Sequence, residues 1–378
     1  MIENFRKDLN RRMGEGVYLS ALKEVASRTP ARSKPSFWLL LFSLLVLASP
    51  FVFVVLGVLL IQFDFPNLIL LVLGGTCLAM AWFLRPRRTK LPERCLDRIH
   101  FPALTELVDQ ISERMNAPKV DKFTVFAGFN AYAQEAERQR ILGIGSLLWL
   151  AADRDQRLAL LAHEVAHLAN KDAEKGVWGH QAEAVLVGLL EVSEPTMVYD
   201  AQFGIVERES QGLIADAISA TFRVILETLL IALEKLKYAD SQKAEYHADT
   251  RSAEVAGRPA VLGLLDIIVL IEPTQRLRSA IWPKRDENGL VFSQRMADTV
   301  FALPDEERQV ALSTHEAELL AVDSTHPPTR YRKAFIEGVP DELLDALLNF
   351  DRWDDVDREL APHFDSTGKV MAEAIREG

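Results

Sequence analysis

Near the start of the chain the hydrophobic pattern is continuous rather than periodic. From Phe37 to Ile61 it reads FWLLLFSLLVLASPFVFVVLGVLLI without a charge, which exceeds the roughly 20 residues needed to cross a bilayer. A second uncharged run, Asn67 to Leu84, is near the minimum length, and Asp64 is the only charge in the turn QFDFPN between them. The pattern predicts a transmembrane helical hairpin over residues 37–84, with spans near 37–61 and 67–84 and with Pro50 as a tolerated kink in the first. The first run begins too late and is too long for a cleaved signal peptide. Trp38 and Trp82 stand near the span ends, where interface anchors are common. Ahead of the hairpin, Leu9, Met13, Tyr18, Leu22 and Val25 recur at helical intervals and predict a helix within residues 1–36.

After the hairpin the pattern becomes that of a globular domain. Leu158, Leu161, Ala162, Val165 and Leu168 follow helical spacing behind Asp153 and Asp155, either of which can cap the helix. Ala182 to Leu190 is too short to span a membrane. Leu213 to Leu236 is interrupted by Asp216, Arg223, Glu227 and Glu234, so it reads as a long, partly buried amphipathic helix, with a membrane-contacting segment as the alternative. The chain of 378 residues leaves enough beyond the hairpin for one domain with a substantial core. We place that domain at residues 92–336 and a solvated acidic helical tail, around DRWDDVDREL, at 337–378.

The candidate chemistry lies in LLAHEVAHLANKD. His163 and His167 stand four apart, so a helix stacks them on one face about 6 Å apart along its axis, and both imidazoles can reach one tetrahedral ion. Glu164, about a quarter-turn round, is placed to act as general base on water held at that ion. A catalytic zinc takes three protein ligands and an open position. Cysteine does not supply the third, because Cys77 lies in an apolar run and Cys95 is isolated. The best source is AEYHADTRSAEVAG, where Glu245 and Asp249 share a helix face: Glu245 can bind the metal while Asp249 accepts the outer N–H of a ligand imidazole. His247 lies in the same segment, whereas His180 and His315 read as surface residues.

Charge narrows the setting. A net charge of −11 argues against nucleic acid as a partner. Lys23, Arg28, Arg32 and Lys34 before the hairpin, and Arg85, Arg87, Arg88 and Lys90 after it, predict that both ends lie in the cytoplasm. The lack of paired cysteines is compatible with that compartment.

HEVAH with Asp172 five residues beyond it, EYHAD, GFNAYA at 128–133 and STHPPTRYR at 324–332, with Arg332 six residues beyond its histidine, occur in one order. In these four motifs the chain resembles the HtpX-type family of membrane zinc endopeptidases, which includes the CAAX prenyl endopeptidases; the likeness covers roughly residues 92–336. It implies an α+β, predominantly helical fold: a zincin-like metallopeptidase domain with a small β-sheet, tethered by the N-terminal hairpin. It implies one zinc ion per chain held by His163, His167 and Glu245, with Glu164 as base and Asp249 supporting a ligand. It further implies His326 as donor to the developing oxyanion and Asn130 as a holder of substrate main chain, in an edge strand. One departure is Gln242, where many relatives carry arginine, which leaves no ion pair to expect there. The implied function is endopeptidase cleavage of unfolded or membrane-protein polypeptides in quality control, at a bacterial cell membrane with the catalytic domain facing the cytoplasm. Two alternatives are a processing protease for lipidated C-termini, disfavoured by having only two spans, and a membrane-anchored interaction protein with a structural zinc site.

Overall fold

The computed structural model describes residues 2–26, 36–85, 91, 92, 94–170, 172–192, 197–200, 205–208, 213–316, 326–344 and 347–377. Most of the basic flanking residues, from Arg28 to Lys34 and from Arg87 to Lys90, lie outside these, as do Ser324 and Thr325. The side chains of Asp172 and His315 are likewise outside what is described.

In chain order the elements begin with α1 (Ile2–Ala26), α2 (Phe37–Leu47), α3 (Ser49–Phe63) and α4 (Leu68–Phe83). Then come β1 (Cys95–Asp97), α5 (Pro102–Met115), β2 (Lys122–Phe126), β3 (Ala131–Ala136), β4 (Gln139–Gly145), α6 (Ser146–Ala151), α7 (Arg154–Ala169) and α8 (Asp172–Val192). A two-stranded ribbon of β5 (Met197–Asp200) and β6 (Ile205–Arg208) precedes the long helix α9 (Leu213–Ala256). The remainder is α10 (Arg258–Ile271), α11 (Gln275–Ser279), α12 (Gly289–Asp298), α13 (Asp305–Glu316), α14 (Thr329–Glu337) and α15 (Trp353–Glu377). The fold is α+β and predominantly helical, with a small sheet, and divides into two compact units.

The first unit comprises residues 1–33, 89–173 and 241–378. Its four-stranded sheet has the order β1-β2-β4-β3: β2 and β4 are parallel at the centre, and β3 runs antiparallel to β4 at the edge. Glu137 and Arg138, both at positive φ, make the tight turn that joins β3 to β4, the handedness that matches strand twist. Against the sheet and α5 packs α7, whose Leu158, Leu161, Ala162, Val165 and Leu168 are buried as their spacing predicts. Gly257 turns the chain from α9 into α10 at φ 87°, a backbone region that only glycine adopts without strain.

The acidic C-terminal helix α15 differs from the expected solvated tail: it is part of the first unit. Val356, Leu360 and Phe364 are buried in its core, and its acids act as internal partners. Glu359 accepts from the backbone N–H groups of Ala103 and Leu104 at 2.7 and 3.0 Å, capping α5. Asp357 accepts from Trp149 Nε1 and Arg157. Charge runs written as DRWDDVDREL look the same whether they meet water or helix N-termini.

The second unit comprises residues 34–88 and 174–240. In it α2 and α3 form one apolar helical segment, Phe37–Phe63, interrupted at Ala48 just before Pro50. The break falls beside the proline, whose missing N–H removes a helix hydrogen bond. Only 17% of its most apolar 18-residue stretch is buried, whereas the core helix of a water-soluble protein is mostly covered. The 16 residues of α4 make it shorter than a full span. The helices α3 and α4 touch at Gly57 and Gly74, where an added Cβ on Gly74 would lie 2.7 Å from the Gly57 carbonyl oxygen and 2.5 Å from Ile61. Close approach through small residues is a usual way for helices to associate in lipid. The second half of α8 and the α9 residues up to Asp240 pack with α2 and α4 around Leu39, Leu47, Leu84, Val185, Leu186, Leu226 and Leu233. Arg223 and Glu227, two of the charges that interrupt the apolar run in α9, pair with each other at 2.9 Å.

Candidate metal and active site

The site is built on α7, whose start is fixed by a capping box: Asp153 accepts from Gln156 N at 2.8 Å and Gln156 returns a bond to Asp153 N at 2.9 Å. Two and a half turns on, His163 and His167 aim their Nε2 atoms at the same point, 3.2 Å apart, with rings nearly perpendicular. Glu245, on α9, closes the triangle: its carboxylate oxygens lie 3.5 Å from His163 Nε2 and 3.5 Å from His167 Nε2. The Ser252 hydroxyl donates to the Ala159 carbonyl at 2.7 Å and so sets the register of α9 against α7.

The three residues offer a metal ion two imidazole nitrogens and a carboxylate. An ion bonded tetrahedrally at about 2.0–2.1 Å separates its ligand atoms by about 3.3–3.4 Å; the two Nε2 atoms are 3.2 Å apart, and each has one Glu245 oxygen at 3.5 Å, Oε2 for His163 and Oε1 for His167. Glu245 Oε2 is buried and makes no hydrogen bond among the described residues, its near neighbours being His163 Nε2 and the Arg332 guanidinium. Two imidazole nitrogens and a carboxylate are also the right donor set for zinc.

Behind the triangle stands a buried ionic layer. Asp249 Oδ1 lies 3.0 Å from His163 Nδ1, which orients the ring so that Nε2 faces inward. Arg332, on α14, donates two parallel hydrogen bonds to Asp249, at 2.7 and 2.6 Å, and lies 3.4 Å from Glu245 Oε2. Burial is the largest single influence on both carboxyls and acts to raise their pKa values. The Arg332 guanidinium and the His163 imidazole overcome it and hold Glu245 and Asp249 ionised below the ordinary range. Burial likewise lowers the His163 pKa, but the hydrogen bonds and charges of Asp249 and Glu245 outweigh it and push the imidazole up to about 10. The pocket thus favours positive charge at the point where the three donors converge.

A cavity of about 400 Å³ opens onto this point. Glu164, itself 8% exposed, is part of its wall beside the two histidines. The mouth carries His326, whose Nδ1 is 3.2 Å from Glu245 Oε1 and whose ring is largely exposed. Asn130 to Ala133 bring the start of β3, the sheet's edge strand, along one side. The Asn130 side chain is occupied locally, its Oδ1 accepting from Ala131 N at 3.0 Å. All seven site residues named from sequence therefore line one cavity. His247 is turned away instead and pairs with Glu24 at 2.9 Å, and His180 is exposed.

Two features had roles that the sequence did not show. Arg332, known from sequence only as a motif position, is the cation that holds Asp249 and Glu245. Leu148, Leu160, Val261, Leu264, Leu265 and Ile268 form an apolar floor to the cavity, and nothing in a sequence separates a cavity-lining leucine from a core one.

Comparison with known proteins decides the family. The model described as Peptidase family M48 matches residues 98–339, well over half of the chain and all of the cavity's residues. The chain belongs to peptidase family M48. It is similar to proteins named Protease HtpX homolog. That of Pyrobaculum calidifontis is 26% identical over 249 residues, 63% of this chain and 68% of the relative. That of Sulfurihydrogenibium sp. is 26% identical over 163 residues, 43% of this chain and 53% of the relative, so the match spans about half of that protein's length. That of Pyrococcus furiosus is 23% identical over 233 residues, 61% of this chain and 71% of the relative. The HtpX-type resemblance carried by the four sequence motifs is borne out at the level of the family.

Proposed function

We propose that this M48 peptidase is a zinc-dependent endopeptidase, anchored in a membrane, that cleaves extended segments of unfolded or membrane-embedded polypeptides. The observation that carries the reading is the convergence of the His163, His167 and Glu245 donors, all within 4.8 Å of one another, with Glu164 in the same cavity wall. A zinc ion held there would act as a Lewis acid, polarising the scissile carbonyl and making water a nucleophile near neutral pH. The carboxylate of Glu164 takes the proton of the attacking water and later delivers it to the leaving amine nitrogen. Asp249 keeps the His163 ring fixed through its Nδ1 proton, and Arg332 keeps Asp249 ionised. His326, at the mouth, is positioned to donate to the oxyanion that develops on the carbonyl.

The main chain of the substrate adds to the free side of β3, with Asn130 at the end of that edge. Strand addition requires an extended peptide, which is why loops and unfolded chains are the substrates rather than folded domains. The apolar floor of Leu160, Val261, Leu264 and Leu265 takes a large aliphatic or aromatic side chain next to the scissile bond. A poorly covered apolar segment at 37–63 supports the membrane anchor, with α4 completing a hairpin. Basic residues on both sides of the hairpin support a cytoplasmic peptidase domain. A tethered protease for extended chains is suited to quality control.

The 3.2 Å approach of His326 Nδ1 to Glu245 favours one rival, a closed structural site with His326 as fourth ligand. Metal removal separates the two. Stripping zinc with a chelator should abolish cleavage of an unfolded test protein by the purified full chain, and one equivalent of zinc should restore it. Cleavage that continues at full rate in the stripped protein would overturn the zinc mechanism. Stoichiometric zinc with no cleavage would favour the structural site.

A further inference from the structure

The helix α1 makes contacts that neither the peptidase chemistry nor the membrane anchor uses. The Tyr18 ring packs edge-on against Tyr246 and Tyr331, each with centroids 5.6 Å away, and against Phe335 at 6.1 Å. Tyr246 and Phe335 themselves stack at 4.7 Å. One turn further along α1, Ala21 is fully buried, and beyond it Glu24 places Oε2 2.9 Å from His247 Nε2 and Oε1 on the Lys243 ammonium. His247 is only 2% exposed.

These contacts fall on particular neighbours. Lys243, Tyr246 and His247 flank Glu245 in α9, and Tyr331 directly precedes Arg332 in α14. At 3.6 residues per turn, positions 243 and 247 lie on the side of α9 opposite 245 and 249, and position 246 lies about a quarter-turn round from 245. So α1 presses on the back of the segment whose front offers Glu245 to His163 and His167, and on the turn that delivers Arg332 to Asp249. A site of this kind works only when its side chains are held to within about 0.5 Å and 10–20°. The triangle edges of 3.2–3.5 Å leave little room for α9 to roll.

We propose that α1 is a positioning element of the peptidase site, in which Tyr18 and Glu24 hold the Glu245 segment and the Arg332 turn against the metal-binding helix. Neither residue touches substrate; each acts through Glu245 and Arg332. The proposal rests on the zinc-peptidase reading for its catalytic consequence, but its structural content does not need the metal.

The test uses the full chain in detergent with four variants: Tyr18→Ala, Glu24→Gln, Tyr18→Phe as the conservative replacement, and Leu360→Ala as a control that destabilises the first unit's core from α15. Three quantities are read: the rate of zinc loss to a chelator, kcat and KM on an unfolded test protein, and amide hydrogen exchange across residues 241–249. Tyr18→Ala and Glu24→Gln should release zinc roughly tenfold faster or more and lose kcat by a similar factor, with KM within about twofold, as expected when support behind a ligand is removed. Tyr18→Phe should match wild type, because the ring makes the contacts. Leu360→Ala should lower the melting temperature yet leave zinc release and kcat unchanged. Wild-type zinc release and kcat in both Tyr18→Ala and Glu24→Gln would overturn the proposal, as would equal effects in Leu360→Ala. If the wild type bound no zinc, the zinc reading would fall alone; exchange at 241–249 would then decide, with faster exchange in Tyr18→Ala supporting the strut and unchanged exchange sinking it.

Discussion

At the scale of residues, three side chains near the metal triangle have separable parts, and zinc content tells them apart. Glu245→Ala removes a direct donor, so the purified variant should lose zinc to a chelator that leaves wild type loaded. Asp249→Asn keeps a shape that can still orient His163 but leaves Arg332 facing a neutral partner, and its zinc affinity should fall by about 10- to 100-fold. His326→Ala should keep its zinc and lose turnover by roughly 100- to 1000-fold, the cost of one oxyanion donor. Tight zinc in Glu245→Ala would remove Glu245 from the ligand set, and zinc loss in His326→Ala would make His326 a ligand. Most of this constellation was legible in the sequence because helix and metal geometry impose fixed intervals: His163 and His167 stand four positions apart, as do Glu245 and Asp249. Arg332 and the apolar floor were not, since a distant salt-bridge partner or a cavity-lining leucine obeys no interval along the chain.

At the scale of elements, the sequence was clearest where one physical demand dominates. The helix α7 shows both its cap, Asp153, and its buried stripe in the chain itself, and the apolar run at 37–63 is unmistakable by length. Elements whose role depends on remote partners were opaque. The acidic stretch in α15 carries Glu359, which caps α5 from 256 positions further along the chain, and α1 shows an apolar spacing without revealing what it packs against. Glu359→Ala should therefore destabilise the first unit by about 0.5–2 kcal/mol, the range for losing a helix N-cap. Thermal unfolding of the full chain checks it: an unchanged melting temperature would mean that water replaces Glu359 at the Ala103 and Leu104 N–H groups without loss.

At the scale of the whole molecule, the chain carries an apolar segment, residues 37–63, of which little is covered, and a peptidase site beside the edge strand of a sheet. Reporters fused after residue 90 and at the C-terminus should both read cytoplasm, given basic residues on each side of residues 37–84. A reporter on the far side in either position would overturn the orientation and remove cytoplasmic chains as substrates. The division into two units was only half visible in the sequence. The hairpin stood out, but the participation of α8 and the first part of α9 beside it did not, because charges such as Arg223 and Glu227 break the apolar run.

The most direct test of the central claim is Glu164→Gln in the full-length protein, with zinc content and cleavage of an unfolded test protein measured on the same sample. The amide keeps the volume of the carboxylate and leaves His163, His167 and Glu245 in place, but it cannot take a proton from water. The account predicts one zinc per chain, an unchanged melting temperature and a rate lower by at least about 100- to 10,000-fold, the usual worth of a general base. Turnover near the wild-type rate with zinc still bound would contradict it.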